Sequence, residues 1–154
     1  MIQIVKISDL KVSDRSEDII VTYALGSCLG LAIYDPVAKV GGMLHAMLPK
    51  PSGIAKNPFQ YVDSGVPMLF KECYALGAKK ERLRIVAAGC ASLMNAATMF
   101  EIGKRNIEML NALFASNGVK LSASMLGGHE SKTLKLYMNT GATSVQVRGK
   151  EIQL

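Results

Sequence analysis

The chain has 154 residues, of which 49% are hydrophobic and 19% charged, and its formal net charge is +6. That is one domain's worth of chain, residues 1–154, able to bury about 68–70% of its unfolded surface, and the balance excludes a disordered protein. The lysines and arginines are scattered, and the densest cluster, Lys79-Lys80-Glu81-Arg82-Leu83-Arg84, contains an acid, which weighs against nucleic acid as a partner. Met1 to Lys6 carries no basic stretch leading into a long apolar one, and the long uncharged run 85–100 is interrupted by Gly89, Ser92, Asn95 and Thr98. Neither a secretory signal nor membrane insertion is expected, since a spanning helix needs about 20 mostly apolar residues.

Gln3 to Ile7 and Ile19 to Ala24 are rich in Ile and Val and predict short strands, with a polar loop from Ser8 to Asp18 between them. Leu25-Gly26-Ser27 predicts a turn and Leu29 to Tyr34 a third strand. Asp35-Pro36 opens a connection closed by Gly41-Gly42, and Met43 to Leu48 is a fourth strand ended by Pro49. The segment from Pro49 to Pro58 has no apolar period and predicts a loop. Val62, Val66, Leu69, Phe70, Cys73 and Leu76 recur at helical spacing. Pro67 is tolerated only in a first turn, so the helix is expected to begin near Asp63 or Ser64 and to stop at Gly77. Arg82 to Ala88 predicts a buried strand. A second helix is expected over Glu101 to Ser116, with Ile107, Leu110, Leu113 and Phe114 as its apolar stripe. Val119 to Leu126, Thr133 to Met138 and Ala142 to Val147 complete the strands, with turns at Gly127-Gly128 and Thr140-Gly141. The pattern predicts a single α+β domain: a mostly antiparallel sheet, or pair of sheets, with two main helices packed on it.

The three cysteines, Cys28, Cys73 and Cys90, are an odd set without CxxC spacing. They fit neither a disulfide framework nor a zinc site, so a reducing, cytoplasmic compartment and no metal are expected. Cys28 sits in the glycine-flanked turn Gly26-Ser27-Cys28-Leu29-Gly30, and His45 follows seventeen residues later on an apolar segment. A thiol with a pKa near 8.5 is only a few per cent thiolate at neutral pH. A strand, not a helix, follows Cys28, so no helix N-terminus is available to activate it, and His45 is the candidate base. A histidine base needs a third group to fix its tautomer. Thr22 is the candidate, through its hydroxyl or its backbone carbonyl. The Gly26, Ser27 and Cys28 amides form a candidate oxyanion hole, which makes Gly26 and Ser27 candidate substrate-binding residues.

Chemistry alone leaves the bland reading open. A cysteine between apolar runs is more often a small core residue, and a histidine on an apolar strand more often a satisfied core histidine. Cys73, on a helix stripe, reads as core, whereas Cys90 could line a site. A hairpin with Tyr34 opposite Met43 would set His45 opposite Ala32 and leave Cys28 about 13 Å along the strand, at about 3.3 Å per residue. A different register, a bulge, or strands in different sheets must then bring the pair together.

Thr22-Tyr-Ala-Leu-Gly-Ser-Cys28, followed by Tyr34-Asp35, Gly41-Gly42, His45 and Leu48-Pro49, resembles the CheD family of chemoreceptor glutamine deamidases. The likeness continues through Tyr61-Val-Asp63, Leu76-Gly77-Ala78, Gly89, Ile102-Gly103, Arg105-Asn106 and Gly127-Gly128. The resemblance implies a fold similar to the catalytic domain of bacterial toxins that deamidate a host GTPase. It places the family's cysteine, histidine and threonine on Cys28, His45 and Thr22. It also implies hydrolysis of glutamine side chains on the cytoplasmic helices of chemoreceptors, without a cofactor, and a CheC-type phosphatase as a competing partner. The rival expectation is a regulatory module that binds such a phosphatase or receptors with little or no catalysis. Two segments depart from the family pattern: Gly89-Cys90-Ala91 stands where Gly-Gly-Ala is usual, and His129-Glu130-Ser131-Lys132 follows the late glycine pair.

Overall fold

The Ile- and Val-rich segments fold as strands and the two apolar stripes as helices, in a computed structural model that describes residues 1–92 and 97–154. In chain order these are β1 (Ile2–Ile4), β2 (Asp9–Ser13), β3 (Ile19–Leu25), β4 (Leu29–Asp35), β5 (Val40–Ala46), α1 (Val62–Ala75), β6 (Arg84–Gly89), α2 (Ala97–Asn117), β7 (Ala123–Leu126), β8 (Lys132–Tyr137), β9 (Ala142–Val147) and β10 (Lys150–Gln153). Short 3₁₀ turns occupy Pro58–Gln60 and Lys80–Arg82.

The strands form two five-stranded sheets. The first has the order β1-β3-β8-β9-β10 and the second β2-β5-β4-β6-β7. Only the β1–β3 and β6–β7 pairs are parallel, so the expected mostly antiparallel α+β architecture is what the chain adopts. β4 is the centre of it and is buried along its whole length. Its alternation splits the interior in two, because successive strand residues face opposite ways. Leu29, Leu31 and Ile33 face a core completed by Val66, Leu69 and Phe70 of α1 and Leu110 and Phe114 of α2. Ala32 and Tyr34 face a second core with Ile20, Leu25, Leu134, Leu136 and Val145 of the first sheet. The layers therefore run first sheet, second sheet, helices. Each fully buried Leu or Ile contributes about 1.5–3 kcal/mol relative to exposure, so this double-sided strand anchors both interfaces.

Several elements differ from the sequence expectation. The Ser8–Asp18 loop contains β2, an edge strand paired with β5, and β10 adds a further strand after the last predicted one. β10 is short, polar and exposed and is held by backbone pairing, whereas β2 also sets Leu10 and Val12 against the helix-side core. β1 and β7 are shorter than expected, and α2 starts four residues before Glu101. Pro67 lies in the second turn of α1, not the first, on the helix's exposed side.

The largest difference is the β4–β5 hairpin. Its turn spans 36–39, held by Asp35 Oδ1, which accepts from the Val37 and Ala38 amides at 2.8 and 3.1 Å, and by Lys39 at φ +57°. Gly41 and Gly42 are therefore strand residues, opposite Tyr34 and Ile33. Their lack of a side chain serves packing: a Cβ on Gly41 would come 2.9 Å from Met138 Sδ, and one on Gly42 2.7 Å from Val12 Cγ1. The register is thus two residues tighter than a turn ending at Gly41-Gly42 would give, and His45 sits opposite Gly30.

Candidate active site

Thr22 faces the interior beside Ile20 by ordinary strand alternation, which breaks immediately after it. The β3–β8 pairing runs to Thr22–Leu134 and resumes at Leu25–Lys132, so β3 carries one extra residue. Ala24 takes φ +57° inside this bulge, a conformation that costs a non-glycine residue about 1–3 kcal/mol. The extra residue brings Leu25 to the inward face that Thr22 already occupies, while Tyr23 and Ala24 face out. Thr22 is fully buried, and its hydroxyl lies 2.7 Å from the Val5 carbonyl oxygen and 2.7 Å from Nδ1 of His45 on the facing sheet.

These two contacts fix the tautomer. A hydroxyl has one proton, and the Val5 carbonyl can only accept, so Thr22 donates to Val5. Toward His45 the hydroxyl can then only accept. Nδ1 must carry the ring proton, and Nε2 is left with a free lone pair. Nε2 is buried, and among the described residues it makes no hydrogen bond. Burial pushes the His45 pKa down to about 4, partly opposed by the Asp9 carboxylate, so the imidazole is neutral at pH 7. The Thr22 hydroxyl brings no charge to stabilise an imidazolium.

Cys28 precedes Gly30 by two residues and so shares the face on which His45 lies. Cys28 lies one residue before β4, and the two-residue step from it to Gly30 spans about 6.6 Å at about 3.3 Å per residue. The tighter hairpin register halves the separation expected from the sequence, from four residues along the strand to two. Gly30 keeps this corner open, since a Cβ there would meet Leu25 Cδ1 at 2.6 Å. Cys28 is partly buried against the inter-sheet core, and that burial pushes its thiol pKa up. The resting pair is therefore a neutral thiol beside a neutral imidazole, not a preformed ion pair.

The turn that carries Cys28 is bound from behind. The Gly26 carbonyl accepts from the Ala91 amide at 2.7 Å, and the Cys28 carbonyl from the Cys90 amide at 2.8 Å. The Ser27 carbonyl accepts from Asn106 Nδ2 at 3.0 Å. Gly89, at φ +99°, allows this approach, because a Cβ there would stand 2.3 Å from the Cys28 carbonyl oxygen. All three carbonyls are used inward. Among the described residues the Gly26, Ser27 and Cys28 amides donate to no protein group, which leaves them available to an oxyanion.

The other cysteines stand apart from this corner. Cys73 is fully buried on the α1 stripe, and burial holds its thiol near 12. Cys90, at φ +54°, turns into the helix-side core, and burial likewise pushes its thiol up to about 12. It also borders a cleft of about 390 Å³ whose lining includes Ser92, Lys104, Glu108, Gly128 and His129. Lys132 holds the wall of that cleft by donating to the carbonyls of Gly127 and Glu130 at 3.0 and 3.2 Å. A second groove, about 310 Å³ between Phe70, Tyr74, Leu113 and Phe114, shares no residue with the Cys28 corner. Sequence chemistry gave no role to Val5, Asn106 or Lys132. Val5 and Lys132 act through geometry that only the folded sheets create. Among the described residues no cluster of His, Cys, Asp and Glu is arranged to hold a metal ion, and no helix is long and apolar enough to cross a membrane.

A family model described as CheD chemotactic sensory transduction matches residues 47–147. Two relatives match across nearly the whole chain, including the 22–45 segment. A protein of Syntrophus aciditrophicus named probable chemoreceptor glutamine deamidase CheD 1 is 43% identical over 95% of this chain and 94% of its own length. One of Solibacter usitatus named probable chemoreceptor glutamine deamidase CheD is 41% identical over 98% and 92%. Among solved structures, a Neisseria meningitidis protein aligns with 82% of this chain and 63% of its own at 10% identity, with a TM-score of 0.45.

Proposed function

The chain belongs to the CheD family, and from that premise we propose that it deamidates glutamine side chains of chemoreceptors with Cys28 as the nucleophile. The single observation that carries the mechanism is the Val5–Thr22–His45 chain of hydrogen bonds, which leaves Nε2 unprotonated on the face shared with Cys28. Nε2 takes the thiol proton as the sulfur attacks the amide carbon of the substrate glutamine. The Gly26, Ser27 and Cys28 amides receive the negative charge that develops on the amide oxygen. His45 returns the proton to the departing nitrogen, ammonia leaves, and a thioester remains. Nε2 then accepts a proton from water as its oxygen attacks the thioester carbon. The C–S bond breaks, the thiol is reprotonated, and glutamate is released.

Because both partners rest in their neutral forms, the proton moves during attack, not before it. This favours a substrate that completes the site: a receptor helix laid over the Cys28 turn excludes water and strengthens the turn's amide dipoles. The substrate segments are the cytoplasmic helices of receptors, so the protein acts in the cytoplasm.

The test is mass spectrometry of receptor cytoplasmic fragments incubated with the protein. Each event adds about one dalton and releases one ammonia, as hydrolysis through a thioester requires. Cys28→Ala is expected to abolish both signals while retaining wild-type circular dichroism and thermal unfolding. Full turnover by that variant would remove Cys28 from the chemistry.

A further inference from the structure

Asn106 lies in the middle of α2, a helix whose polar residues mostly face water, yet it is fully buried. Its Nδ2 donates to two carbonyls at once, Ser27 and Met47, each at 3.0 Å. Ser27 immediately precedes the cysteine. Met47 lies two residues past His45, just beyond the end of β5, at the position where the β4–β5 ladder would next pair with Cys28. One amide group therefore ties the nucleophile's turn to the exit of the base's strand, where the regular ladder has ended. Both acceptors are used in this way only because an NH₂ group carries two divergent protons. A hydroxyl has one, and a carboxylate would face two carbonyl oxygens with none.

The helix is held close enough for this contact by Gly103, three residues earlier. A Cβ there would stand 2.8 Å from the Cys90 carbonyl oxygen and 3.0 Å from that of Ala91. The same 90–91 backbone donates to the Cys28 and Gly26 carbonyls. Asn106 thus completes a rim of contacts around the turn, and among the described residues it is the one of them that also reaches the segment leaving the strand of His45. Asn106 Oδ1 is buried and without a hydrogen bond among the described residues. Packing alone would not select a side chain that leaves such an atom unsatisfied at a cost of about 1–3 kcal/mol.

We propose that Asn106 is a positioning residue for the hydrolysis, one that sets the distance between Cys28 and His45 by clamping the Ser27 and Met47 carbonyls. The inference rests on the Cys28–His45 reading and deepens it. Loss of the clamp lets the turn drift from the strand. A displacement near 1 Å in such a constellation costs about 100-fold in rate. The loss falls on kcat, because Asn106 is buried beneath the turn and does not meet substrate.

The experiment couples two readouts. The first is kcat and KM for receptor-fragment deamidation by wild type and Asn106→Ala, at a temperature where both are fully folded by circular dichroism. The second is the pH profile of Cys28 alkylation by iodoacetamide, recorded with and without His45→Gln in each background, on proteins whose Cys73 and Cys90 remain buried and unmodified by mass spectrometry. The expected result is an approximately 100-fold lower kcat with KM within about threefold in Asn106→Ala. In addition, because His45 takes the thiol proton during attack, His45→Gln shifts the profile in the wild-type background by lowering the alkylation rate below the thiol pKa, and leaves it unmoved in the Asn106→Ala background. Wild-type kcat in Asn106→Ala, or an undiminished His45→Gln shift in that background, overturns the clamp. If His45→Gln shifts nothing even when Asn106 is intact, the Cys28–His45 mechanism itself fails, a different outcome from failure of the clamp. Should Asn106→Ala lose cooperative unfolding, the same readings are taken from Asn106→Ser, which leaves a smaller cavity and a single donor and is expected to retain part of both effects. Wild-type values from that variant overturn the proposal equally.

Discussion

The two ends of the β4–β5 hairpin each bury a polar residue, and they treat it in opposite ways. At the turn, Asp35 is fully buried and its carboxylate is saturated. It accepts from the Val37, Ala38 and Lys79 amides at 2.8, 3.1 and 2.9 Å and from the Arg82 guanidinium at 2.8–3.0 Å. Burial pushes its pKa up, but Arg82 and the three amides outweigh this and hold the carboxyl well below the usual carboxylate range. At the open end, His45 is equally buried, with one nitrogen satisfied by Thr22 and the other by no group among the described residues. A buried polar group with every valence filled holds a fold together. One with a hydrogen-bonding position open, near a thiol, is what the proposed proton transfer requires.

The sharpest way to break this contrast is to exchange the expected phenotypes of the two residues. His45→Gln is expected to lower deamidation by about 10²–10⁴-fold, the usual range for loss of a general base, while its unfolding midpoint stays near wild type. Asp35→Ala is expected to do the reverse. Removing Asp35 leaves three backbone amides without their acceptor and the partly exposed Arg82 guanidinium without its carboxylate, a loss of about 1–3 kcal/mol. Urea unfolding should register that loss, while turnover per folded molecule is retained at low temperature. If Asp35→Ala lowered kcat as strongly as His45→Gln, the two ends would not be functionally separate.

A smaller effect is expected at Thr22, where the contrast can be sharpened rather than broken. Thr22→Val keeps the shape but offers Nδ1–H no acceptor, so the tautomer that frees Nε2 is no longer favoured. Turnover should fall about 10- to 1,000-fold, less than or equal to the loss of the base itself. Thr22→Ser restores the hydroxyl and should remain within a few-fold of wild type. A silent Thr22→Val, measured by steady-state kinetics, would mean that the hydroxyl does not orient the imidazole.

The comparison also shows what the chain made legible before folding. The apolar periods of α1 and α2 and the Ile/Val runs of β3, β4 and β6 are strong local signals; Thr22, Cys28 and His45 stood out only as candidates, with a plain core reading open for the cysteine and the histidine. Their spatial relation was not legible, for two physical reasons. Gly41-Gly42 carries the composition of a turn, yet its glycines make room for Met138, Leu136, Tyr34 and Val12 within a strand. That ambiguity moved the predicted register by two residues. The bulge at Tyr23-Ala24 has no glycine to announce it, because Ala24 takes the left-handed conformation under the constraint of the surrounding sheets. β2 and β10 are short, paired edge strands. Asn106 lies on the α2 stripe, four residues before Leu110, so its burial was legible from helical spacing, but its two carbonyl partners were not. Tertiary contacts decide all of these, and a local reading does not contain them.

The smallest effect is a difference in acid sensitivity between the two ends. The His45 pKa is lowered on folding, from 6.5 to about 4, so between those values the unfolded chain binds a proton that the folded chain refuses. Stability from this residue is fully present above pH 6.5, declines as pH falls toward 4, and is level below that. At about 1.36 kcal/mol per pH unit the loss is about 3 kcal/mol. The Asp35 pKa is also lowered, so its contribution has the same sign but a different window: it is intact above the ordinary carboxylate value near 3.9 and is lost only as pH falls below it. Urea midpoints measured from pH 7.5 down to 4.5 should therefore slope in wild type and be much flatter in His45→Gln. Asp35→Asn should leave the slope in that range unchanged and flatten the decline below pH 4. An undiminished slope in His45→Gln would assign the acid sensitivity of this range to other groups and would show that His45 is not held neutral by the fold.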